Sequence, residues 1–246
     1  MEYRQEVIKN WILIEQAQDE VAYMRPLFSF VLGQFVEIFG TGLMEAELCV
    51  VFNEANAPYP MLIINKNPIQ LRVNATSLNH WAQYIYQLSH ELTHYVIRQY
   101  KENKDSIIKW FEETLCEAMS LYILRQSSVK WSDCTLSKVN PDYHSALKSY
   151  LNDIYNRTDK SVIRACHTLS ELQEIEQSSE SQRLNRSMER NYLYDTFCEF
   201  PESIAAFVFY PLYARSDLQL DLDRWEKETK NSLISKLREV HPILIA

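Results

Sequence analysis

The chain has 246 residues, nearly half of them apolar, so it can bury a sizeable core without disulfide bonds. Its formal net charge of −8 repels phosphate backbones and anionic lipid, so we expect neither nucleic acid nor a membrane as a partner. With only 3 glycines, it has no glycine-rich loop for binding phosphate.

The five cysteines are odd in number, widely scattered and without a CxxC pair, which is typical of reduced thiols. The first ten residues lack the apolar stretch of a signal peptide, and no apolar run reaches the 18 residues that a membrane span needs. We therefore expect a cytoplasmic protein. The sequence does not indicate an oligomeric state.

The order of the elements predicts an α+β fold in which helices dominate. Residues from about 5 to 39 are predicted to be helical, in one or two pieces divided near Arg25-Pro26, because proline restricts the residue before it. Three β-type runs follow, separated by turn-rich segments: Glu47–Asn53, Met61–Asn65 and Ile69–Asn74.

A long helix is then predicted to run to about Tyr100, with Thr76 or Ser77 as its cap. After the polar turn KENKD, Asp105 or Ser106 can cap a second helix that ends near Leu124. Residues 126–141 look like a loop, and five further helices are predicted at roughly 143–156, 168–177, 182–199, 202–214 and 221–239. We expect a single domain over residues 1–246, with the sheet and both long helices in a lobe 1–125 and a helical lobe 126–246.

Residues 90–94 read His-Glu-Leu-Thr-His in the middle of the first long helix. Positions i and i+4 lie on one face of a helix, so the imidazoles of His90 and His94 can reach one metal ion. Glu91 projects from the edge of that face, where its carboxylate can contact a metal-bound water without binding the metal. This HExxH pattern predicts a metal site of the kind found in zinc hydrolases.

A helical hairpin centred between Asn103 and Lys104 would supply a third ligand. His94 and Glu113 are each 9.5 positions from that centre, so the two side chains lie level on opposing helices. Glu113 can therefore complete a site of two histidines and one carboxylate that leaves a fourth zinc position open. If the turn centre is displaced, Glu112 or Glu117 becomes the rival ligand.

Two other residues of the second helix lie close to Glu113. Glu117 and His90 are each 13.5 positions from the hairpin centre, so Glu117 can accept the second ring N–H of His90 and fix its tautomer. An exposed salt bridge is the alternative role for Glu117. We interpret Cys116 as a packing residue rather than a thiolate ligand.

HELTH, 18 intervening residues and a glutamate within WFEE resemble the gluzincin metallopeptidases, which include thermolysin-like proteases and the large zinc aminopeptidases. Trp110-x-x-Glu113 is similar to the aminopeptidase pattern. Glu117 matches an acidic residue that the thermolysin pattern carries four positions after the ligand. The resemblance covers residues 61–124, but the chain has no GAMEN-type segment, so it does not imply aminopeptidase specificity.

The resemblance implies a zincin-like fold, a Zn²⁺ cofactor and a peptide or protein substrate. In that family zinc lowers the pKa of its bound water toward about 7. The glutamate that corresponds to Glu91 takes the proton of this water and passes it to the leaving amine. A downstream tyrosine or histidine would stabilise the oxyanion, and we favour Tyr192 or Tyr194 over Tyr143, His144 and His167. Met61–Asn65 or Ile69–Asn74 would form the sheet edge that pairs with substrate.

Other functions share parts of this pattern. Two histidines and a carboxylate also describe non-haem iron sites. Those sites usually sit on β scaffolds, and their carboxylate binds the metal, whereas Glu91 is free beside it. A zincin-fold regulator that cleaves one specific partner, or a non-catalytic zinc-binding protein, would carry the same ligands. The peptidase reading remains the first prediction because a purely structural site has no use for Glu91.

Overall fold

The computed structural model describes residues 3–15, 21–75, 80–100, 107–158 and 162–242. As predicted, the fold is α+β and mostly helical. All five cysteines are free thiols. Across the described ranges we find no helix that combines the length and the hydrophobicity needed to span a membrane.

The sheet has five strands: β1 (Tyr3–Ile8), β2 (Trp11–Glu15), β3 (Cys49–Asn53), β4 (Met61–Ile63) and β5 (Ile69–Val73). Their spatial order is β1-β2-β3-β5-β4, so β1 and β4 form the two edges. The inner pairs β2–β3 and β3–β5 are parallel, whereas each edge strand is antiparallel to its neighbour. The three strands predicted from the sequence thus correspond to β3, β4 and β5.

The prediction of a helix from residue 5 is wrong, because β1 and β2 form a hairpin there. The chain reverses at Lys9 and Asn10, and Asn10 adopts the left-handed φ of 67° that asparagine tolerates better than most residues. Its amide also donates to the Glu45 carbonyl. After the turn, buried Trp11 and Leu13 alternate with half-buried residues, which is the period of a strand and not of a helix.

Helix α1 (Val21–Phe39) contains Pro26, so the predicted division at Arg25-Pro26 does not occur. Proline here removes one backbone hydrogen bond near the start of the helix. The apolar face of α1 outweighs that loss, since it buries six large side chains: Met24, Leu27, Phe28, Val31, Leu32 and Phe35. A short helix α2 (Thr41–Met44) leads into β3.

The two long helices are α3 (Trp81–Arg98) and α4 (Lys109–Val129), which agree with the prediction in position. The predicted caps Thr76, Ser77, Asp105 and Ser106, and the turn Lys101–Asp105, lie outside the described residues. Helix α4 continues past the predicted end at Leu124 into the predicted loop. Its last turn is held by Ser127, whose hydroxyl accepts a hydrogen bond from the Gln34 amide of α1 (3.1 Å).

Five shorter α-helices follow: α5 (Tyr143–Tyr155), α6 (Leu169–Ser178), α7 (Ser187–Glu199), α8 (Glu202–Phe207) and α9 (Leu222–Thr229). Short 3₁₀ segments complete the predicted helical regions: Arg183–Arg186, Tyr210–Tyr213 and Ser232–Glu239. Two more 3₁₀ segments, Trp131–Asp133 and Thr135–Lys138, occupy much of the predicted loop 126–141.

The chain divides into two compact units: Met1–Tyr95 with Ser120–Asp153, and Val96–Met119 with Ile154–Ala246. In the first unit, the fully buried ring of Trp11 packs edge-on against Tyr95 at a centroid distance of 4.9 Å. In the second, fully buried Trp110 donates its indole N–H to the Leu218 carbonyl (3.0 Å). The predicted single domain with lobes 1–125 and 126–246 stays a prediction.

Candidate metal centre

The HELTH segment lies in the second half of α3, where most side chains are buried. His90 is 2% exposed, Glu91 is 4% exposed and His94 is half-buried. The small hydroxyl residues beside them bond within the helix: Ser89 donates to Ile85 and Thr93 donates to Ser89, each at 2.7 Å. The hydroxyl groups of Ser89 and Thr93 are thus used inside the helix. The side chains of this segment that are left for a site are the two imidazoles and the Glu91 carboxylate.

The two imidazoles converge through their Nε2 atoms. These nitrogens are 3.2 Å apart, and the ring centroids are 4.9 Å apart. Two nitrogens bound to one tetrahedral zinc at 2.0–2.1 Å are about 3.3 Å from each other, so the observed separation fits a shared ion. Without a metal, the same contact is a hydrogen bond only when one Nε2 carries a proton and the other does not.

A third ligand atom belongs to Cys116 of α4. Its Sγ and one ring nitrogen from each of His90 and His94 all lie within 4.8 Å of one another. Cys116 and His90 are buried, and His94 is half-buried. This group could hold a metal ion, and two imidazoles with one thiol are a donor set that suits zinc and other borderline-soft ions.

The sequence interpretation assigned Cys116 to packing, although the spacing held a signal for it. From the predicted hairpin centre between Asn103 and Lys104, Cys116 and Glu91 are each 12.5 positions away. That prediction would have placed Cys116 level with the stretch between the two histidines. The gluzincin pattern has only histidine and glutamate as ligands, so it does not indicate a cysteine at this position.

Glu113, the predicted third ligand, is a buried side chain one turn before Cys116, and is 9% exposed. Among the described residues, the ligand group contains Cys116 and not Glu113, so Glu113 as a ligand stays a prediction. The rival Glu112 accepts a hydrogen bond from the Tyr210 hydroxyl (2.8 Å). Burial, together with the Glu112 charge, raises the pKa of Tyr210 well above its usual value, which keeps that hydroxyl a donor.

Glu117 is a buried carboxylate between two buried guanidinium groups of the same unit. Its Oε1 lies 3.5 Å from Arg186 and its Oε2 lies 4.0 Å from Arg190. The three residues are 1%, 0% and 3% exposed, so the exposed salt bridge considered for Glu117 is wrong. Arg190 is fixed in turn by donating to the Ile154 carbonyl (3.0 Å). The predicted bond from His90 to Glu117 stays a prediction.

Sequence reasoning missed Arg186 and Arg190. Both lie in the polar segment 182–199, where the sequence does not distinguish a buried arginine from an exposed one. Burial of an arginine depends on a partner charge from elsewhere in the chain, here Glu117. No local pattern in the sequence marks that partner.

The two tyrosines favoured for the oxyanion lie on α7. Tyr194 is buried, with its ring 5.6 Å from the ring of Tyr155. Tyr192 is half-buried, and burial and the Glu239 charge raise its pKa. Their catalytic role stays a prediction. Among the other candidates, Tyr143 caps α3, since its hydroxyl accepts from the Ala82 backbone N–H (3.1 Å).

The start of α4, the helix of Cys116, is fixed by a carboxylate from α6. The two oxygens of Glu176 accept from the backbone N–H groups of Lys109 (2.9 Å) and Trp110 (3.0 Å). A negative charge at a helix N-terminus is favourable, and these bonds satisfy two donors that the helix cannot satisfy itself. Burial nevertheless raises the pKa of Glu176.

A half-buried histidine packs near the same turn. The His241 ring lies 6.4 Å from the Trp110 ring. Its Nε2 accepts from the Leu220 backbone N–H (2.9 Å), and its Nδ1 lies 3.0 Å from the Pro242 carbonyl. Nε2 can accept only when it carries no proton, so this arrangement needs the neutral ring. Burial lowers the pKa of His241 accordingly.

We expect His241 to make stability depend on pH. Its pKa is lower in the folded state, so its contribution is complete above the usual histidine value of about 6.5 and is lost as the pH falls through the folded pKa. Urea unfolding at pH 7.5 and 5.0 should show a smaller loss for His241→Gln than for the wild type. Exposed His80→Gln is the control, and an equal loss in all three proteins would contradict the prediction.

We compared the chain with protein-family models, with curated proteins and with solved structures, and nothing matches. The resemblance to gluzincins therefore rests on the residues of the HELTH and WFEE segments alone.

Proposed function

We propose that the chain is a zinc-dependent peptidase that binds its ion through His90 and His94, with Cys116 or Glu113 as the third ligand. The observation that carries the proposal is the convergence of two imidazole Nε2 atoms and the Cys116 thiol, with the histidines on a buried HExxH helix. A bound zinc ion would supply a Lewis acid and would lower the pKa of a water toward about 7.

Glu91 is the general base in this proposal. It directly follows His90 and is 4% exposed, so its carboxylate is held in a largely dry environment beside the ligands. There it takes a proton from the attacking water and delivers it to the leaving amine. A structural metal site needs ligands but no general base, so it would not require a carboxylate in this position.

The edge strand β4 is the proposed binding edge for the peptide. Of the two strands considered from the sequence, β4 lies at the edge of the sheet and β5 is enclosed between β3 and β4. An edge strand has backbone N–H and C=O groups on one side that an extended peptide can pair with. Strand β4 belongs to the same unit as the HELTH residues.

A non-catalytic zinc site is the second candidate, and Cys116 favours it. Structural zinc sites are richer in thiolates than catalytic ones. Cleavage of a peptide library that depends on Glu91 supports the peptidase. Stoichiometric zinc without any such cleavage supports the structural site, and iron in place of zinc would overturn both.

We expect Cys116→Ser to lower zinc affinity by at least about 10- to 100-fold, because even a residue that only hydrogen-bonds to a metal ligand contributes that much. Substitution of cobalt for zinc identifies the ligand directly, since a bound thiolate gives a near-ultraviolet charge-transfer band. That band should be present in the wild type and in Glu113→Gln, and absent in Cys116→Ser.

Cys166→Ser is the matched control for this experiment. Cys166 is also buried, and burial raises its pKa to about 11, so it stays a neutral thiol at working pH. A wild-type cobalt spectrum without the thiolate band, together with loss of metal in Glu113→Gln, would instead assign the third position to Glu113.

A further inference from the structure

The first unit contains a groove of about 550 Å³ that the proposed peptidase chemistry does not use. One wall is a stripe of α1 that includes Arg25, Phe30 and Gly33, and the other is formed by segment 130–135. We call it the α1 groove. Its volume lies in the range of sites that bind small molecules.

Gly33 gives the first reason to regard the α1 groove as a binding site. It lies in the interior of α1, where glycine is less stable than alanine. A Cβ added to Gly33 would have no atom within 4 Å, and its φ is not in the left-handed region. Neither packing nor backbone conformation therefore requires glycine at this position. The absence of a side chain at Gly33 makes the groove wider.

The polar groups of the groove indicate what would bind. Arg25 is exposed at one end, and within the described ranges it has no acidic partner. At the other end, the Lys130 ammonium is paired with Glu37 (2.5 Å), so its charge is already balanced. Asp133 also lines the groove and would repel an anion placed beside segment 130–135. A carboxylate is therefore favoured only at the Arg25 end, where the guanidinium can bind its two oxygens in parallel.

The floor of the groove offers an acceptor. Gln34 is 4% exposed and donates through Nε2 to Ser127, while its Oε1 has no hydrogen-bond donor among the described residues. A buried acceptor without a donor is unfavourable, and a ligand N–H that reaches Oε1 after a small shift of the Gln34 side chain would relieve that cost. Pro26 and Phe30 add apolar surface to the same groove.

We propose that the α1 groove binds the C-terminal residue of a peptide or an N-acyl amino acid with an apolar side chain. The carboxylate would pair with Arg25, the amide N–H would donate to Gln34, and the side chain would pack over Gly33 against Phe30. The site is independent of the metal centre, and it does not depend on the chain being a peptidase.

Calorimetric titration of the full chain with N-acetyl-L-phenylalanine tests the proposal. N-acetyl-L-phenylalanine amide lacks the carboxylate and 3-phenylpropanoate lacks the amide N–H. Each analogue should bind about tenfold more weakly, as expected for the loss of one hydrogen bond to a charged or buried group. Arg25→Gln should remove the preference for the acid over the amide.

Gly33→Leu should fill the groove and weaken binding by at least about tenfold. Its melting temperature should not fall, because leucine is the better helix former and the space is open. Gly42→Leu is the matched control, since Gly42 is also helical, has nothing within 4 Å of an added Cβ and lies outside the groove. Absence of wild-type binding, equal binding of acid and amide, or undiminished binding by Gly33→Leu would overturn the proposal.

Discussion

Glu91→Gln is expected to lower the turnover of peptide substrates by roughly 10²- to 10⁴-fold, the range that a general base contributes, while zinc stays bound. Glutamine has nearly the same shape as glutamate, so it fits a position that is 4% exposed. Its amide cannot accept the proton of the attacking water at neutral pH. The measurement is kcat/KM on a peptide library together with the zinc content of each protein.

Glu37→Gln is the control for this prediction, because it makes the same change at an exposed carboxylate that pairs with Lys130. Loss of zinc from Glu91→Gln would show that Glu91 is a ligand and not a base. Unchanged turnover would remove Glu91 from the mechanism. Unstructured casein should be included, since a protease restricted to one partner would leave casein intact.

Replacing Glu117 by alanine is expected to destabilise the protein by about 3–5 kcal/mol. The change leaves the guanidinium groups of Arg186 and Arg190 buried without the carboxylate between them. Both arginines are almost fully excluded from water, so solvent cannot replace the lost charge. Denaturant unfolding followed by circular dichroism gives the difference in free energy.

The matched control is Glu180→Ala, which breaks the exposed ion pair with Lys109 (2.7 Å) and should cost less than about 1 kcal/mol. If Glu117→Ala does not fold, replacing Glu117, Arg186 and Arg190 together by apolar residues of similar size should restore a folded protein. A loss below about 1 kcal/mol for Glu117→Ala would contradict the role of this buried cluster.

The sequence predicted the parts of the fold that local patterns determine. Strands β3, β4 and β5 lie between strong turn signals, and α3 and α4 have long apolar faces, so their positions follow from short stretches of residues. The hairpin of β1 and β2 was missed because a short apolar run such as Trp11–Glu15 fits either a helix or a strand. The parallel pairing of β2 with β3, which aligns Trp11 with Cys49, decides the matter.

In the candidate site, too, local sequence predicts some residues, whereas tertiary structure brings in the others. His90, Glu91 and His94 lie within five consecutive positions, so helix geometry alone brings the two histidines to one face, with Glu91 at its edge. Cys116 joins the group through packing between distant segments, which no local pattern specifies. The same is true of the arginines around Glu117.

The bonds from Glu176 to the start of α4 have a consequence for the order of folding. Glu176 follows Lys109 by 67 positions and Trp110 by 66. Closing so long a loop is entropically costly, so contacts of this kind form after local structure. The first turn of α4, two turns ahead of Cys116, therefore becomes fixed only once α6 has docked. We infer that the two hydrogen bonds to Glu176 are among the later contacts to form, whereas the hydrogen bonds inside α4 form early.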